Sequence, residues 1–68
     1  MFVIIAWPLE RSPQDLDGLK KYLSTYYTTT TLEEKAGHIE IACPAEVLTV
    51  IIYLVGNFGF WASEIKDV

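Results

Sequence analysis

The chain has 68 residues, 51% hydrophobic and 13% aromatic, with nine acidic against five basic residues and a formal net charge of −4. That composition excludes a disordered chain. With Cys43 the only cysteine and His38 the only histidine, it also excludes a disulfide framework and a Cys-rich metal site. The basic residues Arg11, Lys20, Lys21, Lys35 and Lys66 form no patch beyond one adjacent pair, so contacts that neutralise nucleic-acid phosphates are not expected.

A chain of this length reads as a single domain, 1–68, and buries only about 60% of the surface its unfolded form exposes. Oligomerisation or a partner is therefore expected to supplement its core. The first residues carry no basic segment before their apolar run, which argues against a signal peptide and for a cytoplasmic location.

Phe2 to Trp7, ended by Pro8, is rich in β-branched and aromatic residues and predicts a buried strand. Both of its faces are apolar, Phe2, Ile4 and Ala6 on one and Val3, Ile5 and Trp7 on the other, as a central strand requires. Ser12, Pro13 and Asp15 then predict a helix start, with serine as cap, proline at the first helical position and an acid three residues after the cap. Leu16, Leu19, Leu23 and Tyr26 recur as one apolar stripe. The threonine run after Tyr27 predicts a strand of edge character. Lys35-Ala36-Gly37 is a turn, and His38 to Cys43 returns as the second arm of a hairpin, with Ile39, Ile41 and Cys43 on one side.

The longest uncharged stretch, Val47 to Ser63, spans 17 residues. Pro44 opens a second helix there, Gly56 or Gly59 ends it, and Phe60 to Lys66 forms the last strand. On a helical projection Leu48, Ile51, Ile52 and Val55 form a core stripe. Val47, Val50 and Leu54 extend the apolar arc to roughly 220°, about twice what a surface helix needs. A transmembrane or membrane-associated reading of this stretch is the weaker alternative, because Thr49, Tyr53, Gly56, Asn57, Gly59 and Ser63 interrupt it and no basic residues flank it.

The order strand, helix, strand, strand, helix, strand predicts an α+β, ferredoxin-like β-α-β-β-α-β sandwich. Both helices lie on one face of a four-stranded antiparallel sheet, with the first and third strands central. The topology is shared by many unrelated functions and by itself names none. It does leave one sheet face uncovered, and the first strand must turn one of its two apolar sets toward it.

No phosphate loop, nucleophile elbow or metal-ligand cluster appears, so no catalytic residue, metal or cofactor is expected. A cross-strand pair of His38 with Glu34 would offer two ligands, too few for zinc. The acidic residues of the hairpin, Glu33, Glu34 and Glu40, read as solvated surface. Cys43-Pro44 at a helix start resembles the motif of the TusA-type sulfur carriers, although Glu46 stands where that pattern has a second proline. The resemblance implies a thiol-based carrier; the residues themselves favour a small buried side chain in register with Ile39 and Ile41. The leading expectation is a non-enzymatic protein-binding module that self-associates as a homodimer, regulates or inhibits a partner protein, or does both. Its predicted contact residues are Val47, Val50, Tyr53 and Leu54 on the second helix, with Trp7 or Phe2 on the sheet.

Overall fold

The β-branched run after Met1 becomes strand β1, Phe2–Pro8, at the centre of the fold. In the computed structural model, which describes residues 1–68, it is followed by helix α1, Leu16–Tyr26, and strands β2, Thr31–Glu34, and β3, Ile39–Cys43. A short 3-10 turn, Ala45–Val47, leads into helix α2, Leu48–Asn57, and the chain ends in strand β4, Phe60–Asp67. All strand pairs are antiparallel, in the order β2-β3-β1-β4. This is the expected ferredoxin-like α+β sandwich, with β1 and β3 inside and β2 and β4 at the edges.

Residues directly opposite each other in a ladder share a face. Phe2, Ile4 and Ala6 lie opposite Cys43, Ile41 and Ile39, and Leu32 lies opposite Ile41. Ile4, Ala6, Ile39, Ile41 and Cys43 belong to the buried core with Leu19 and Leu23 of α1, Ile51, Leu54 and Val55 of α2, and Phe60. The helices therefore cover the Phe2 set, and Val3, Ile5 and Trp7 take the open face.

Helix α1 starts three residues later than its sequence suggests. Asp15, not Ser12, is the cap, its Oδ1 accepting from the Gly18 N–H at 2.9 Å. The delay has a tertiary cause: the Asp15 N–H donates to the Phe58 carbonyl at 3.0 Å and the Leu9 N–H to the Gly59 carbonyl at 2.8 Å. Residues 9–15 are thereby tied across the turn between α2 and β4, and Pro13 packs against Gly59 instead of opening the helix. At the far end Tyr26 is 67% exposed instead of completing the core stripe, and Tyr27 packs against the core in its place. Strand β2 also begins late, because the Thr30 N–H and hydroxyl both donate to the Tyr27 carbonyl and hold a turn there.

Helix α2 corrects the predicted arc. Pro44 stays extended and Val47 is the residue before the helix proper. Ile51, Leu54 and Val55 are buried, and Val47, Leu48 and Ile52 are partly buried against the core. The helix packs on both β4 and β1, so the arc in contact with the sheet is wider than a single stripe. The apolar surplus shrinks to Val50, beside the amphipathic Tyr53.

Candidate functional site: the open sheet face

The face without helices is built by alternation. Val3, Ile5 and Trp7 of β1 are flanked by Ala42 and Glu40 of β3 and by Lys66, Glu64 and Trp61 of β4, in the registers Val3↔Ala42, Ile5↔Glu40, Val3↔Lys66, Ile5↔Glu64 and Trp7↔Trp61. Val3 and Ile5 are half-buried between their neighbours. Trp7 and Trp61 are 40% and 49% exposed, which puts two large aromatic side chains at one end of the face with nothing above them.

Trp7 is held from the side. Its ring centroid lies 4.7 Å from that of His38 with the planes tilted by 38°. A Cβ on Gly37, which has φ +84°, would sit 3.5 Å from the indole. The hairpin turn thus needs glycine for its backbone and at the same time brings it close to the tryptophan. His38 in turn points Nε2 at Glu40 Oε2, 3.1 Å away, while its Nδ1 is buried without a partner. The predicted His38–Glu34 pair does not form, since Glu34 binds Lys20 of α1 at 2.5 Å. Along the rim, Lys35 Nζ meets Glu33 Oε2 at 3.0 Å, and these contacts hold both lysines above the ordinary amine range, through the bond to Glu34 for Lys20 and to Glu33 for Lys35.

No family model, curated protein or solved structure matches this chain. The site is therefore argued from its own geometry.

Of the residues predicted to contact a partner, the structure brings Trp7 onto the open face and leaves Val50 (45% exposed) and Tyr53 (77%) on the surface of α2. Three others are corrected. Phe2 lies on the helix side and packs against the core, because it is in register with the buried Cys43. Leu54 is a core residue at 8% exposure, and Val47 is drawn partly into the core from the 3-10 turn. Trp61 was not predicted. Its partnership with Trp7 depends on the register shift in the β1–β4 ladder between Ile5 and Ala6, which strand alternation alone does not reveal.

A second aromatic group lies in the helix layer. Tyr22 packs on Tyr26 at 4.7 Å between centroids and on Phe58 at 6.0 Å, all three lining a shallow groove with Lys21 and Thr25. These rings mostly cover one another.

Cys43 is fully buried on β3, pointing with Ile39 and Ile41 as expected. With α2 beginning only at Leu48, the thiol is not at a helix N-terminus. Burial pushes it up from its ordinary value, and the Met1 ammonium opposes that only in part. A sulfur carrier needs an accessible thiolate, and this environment provides the opposite. No group of three His, Cys, Asp or Glu side chains is placed to hold a metal ion, and no helix is long and apolar enough to cross a membrane.

Proposed function

We propose that this chain is a non-enzymatic protein-binding module that docks a partner protein through the open face of its sheet and pairs with a second copy of itself through a different surface. The docking half is carried by one observation: Trp7 and Trp61 are cross-strand partners on the face that no helix covers, and both are exposed. Tryptophan is enriched among residues that dominate binding energy. Its neighbours Val3 and Ile5 extend the apolar surface, and Glu33, Glu40 and Glu64 form a polar rim, the usual anatomy of a recognition patch. Regulation or inhibition of the partner follows from occupying its surface, since the chain brings no reactive group of its own. A single buried thiol suits a reducing, cytoplasmic setting.

The experiment is a comparison of the native chain with a Trp7→Ser/Trp61→Ser variant in binding a partner isolated with the native chain and then titrated in purified form. Both side chains are exposed, so the circular dichroism spectrum should be kept, while the partner's affinity should fall by more than about 2 kcal/mol. Undiminished affinity in a folded double variant would overturn the open face as the docking surface.

A further inference from the structure

Strand β4 is the longest strand and lies at the sheet's edge. An exposed edge of this length offers a row of unpaired backbone groups to another strand. The opposite edge is guarded: β2 has only four residues, and its adjacent Glu33 and Glu34 would meet like charges in a second copy. Strand β4 has no such guard. From Ser63 to Asp67 every residue is exposed, including Ile65 at 44%.

The direction of the backbone groups fixes how that edge can pair. The Val68 N–H donates to the Met1 carbonyl at 3.0 Å, so this residue pair is of the hydrogen-bonded kind. The two kinds alternate along an antiparallel ladder. Lys66 and Glu64, opposite Val3 and Ile5, therefore spend their backbone groups on β1, whereas Asp67 and Ile65 direct theirs outward. The register shift between Ile5 and Ala6 lies beyond this segment and leaves it regular.

We infer that two copies of the chain join edge to edge through antiparallel β4 strands about a two-fold axis at Ile65, forming a continuous eight-stranded sheet. At that axis Ile65 exchanges both hydrogen bonds with Ile65 of the partner subunit. Glu64 then stands opposite Lys66 of the partner subunit, and Lys66 opposite Glu64 of the partner subunit. These are non-hydrogen-bonded positions, where side chains approach most closely. One sequence thus supplies both halves of two symmetric ion pairs, the self-complementarity an isologous interface requires. The exposed Ile65 side chain meets its own copy, and the two open faces become one longer surface. The inference rests on the self-association half of the proposed function and specifies its register.

Sedimentation equilibrium over a concentration series, with charge-reversal variants, tests it. The native chain should be a dimer. Glu64→Lys alone and Lys66→Glu alone set like charges opposite each other twice and should each weaken the dimer about tenfold. The double reversal Glu64→Lys/Lys66→Glu restores opposite signs in the same register and should recover it. An Ile65→Cys variant should form a disulfide-linked dimer under mild oxidation, since directly opposed residues lie within disulfide reach. A native dimer indifferent to both single reversals, together with an Ile65→Cys variant that does not cross-link, would overturn this register while leaving self-association standing. A native chain that stays monomeric at millimolar concentration would overturn both, and neither result affects the test of Trp7 and Trp61.

Discussion

A Cβ placed on Gly59 would lie 2.3 Å from the carbonyl oxygen of Pro13. The two residues belong to different connections, one leading into α1 and the other leaving α2. Their contact is where the two halves of the chain lock together.

Gly59 also has φ +88°, a conformation that costs other residues about 1–2 kcal/mol before any clash. Gly59→Ala should therefore destabilise the fold by more than about 2 kcal/mol. Gly56, exposed in α2 with nothing within 4 Å of an added Cβ, is the control: Gly56→Ala should stabilise by roughly 0.5 kcal/mol through helix propensity. Urea midpoints of the two variants check the pair, and equal effects would contradict the packing at Pro13.

Leu54 and Val50 are one helical turn apart on α2, and the helical projection treats them alike. The fold separates them, with Leu54 at 8% exposure and Val50 at 45%. Leu54→Ala should cost roughly 2–4 kcal/mol, a large share of the stability of so small a domain. Val50→Thr should stay within about 0.5 kcal/mol, as surface substitutions do. Chemical denaturation of both variants decides whether the helix is seated as described.

The buried thiol of Cys43 predicts an alkaline loss of stability. Burial raises its folded-state pKa above 9.0, so as pH rises past that value the unfolded chain gives up its thiol proton while the folded chain keeps it. Stability then falls, with a limiting slope of about 1.4 kcal/mol per pH unit. Lys20 and Lys35 act in a later window: their pKa values are raised above 10.5 by Glu34 and Glu33, so what they contribute is present below that pH and lost above it. Denaturation midpoints between pH 9.0 and 10.5 should decline for the native chain and stay flat for Cys43→Ala. The native thiol should also resist alkylation until the chain unfolds; rapid alkylation of folded protein would show that Cys43 is not sealed in.

By itself the sequence determined the order of elements and therefore the topology, because each strand and helix carries its own period and its own breakers. The apolar set on each side of β1, Gly37 in the hairpin turn and the direction of Cys43 were legible for the same local reason. What only the tertiary structure decided were relations between segments distant in the chain. The choice between the Phe2 and Val3 sets for the open face needed the helices in place. The cap at Asp15 depended on hydrogen bonds from Phe58 and Gly59, and the burial of Leu54 on α2 resting on two strands at once. The meeting of Trp7 with Trp61 depended on a register shift within the β1–β4 ladder. The outward-facing backbone of Ile65 likewise follows from a pairing that joins the two ends of the chain. Period is a property of neighbours in sequence, whereas register and burial depend on what the rest of the chain brings alongside. The stretch from Val47 to Ser63, the most apolar in the chain, accordingly contributes mostly core, and the exposed apolar surface lies instead on the sheet and along its last strand.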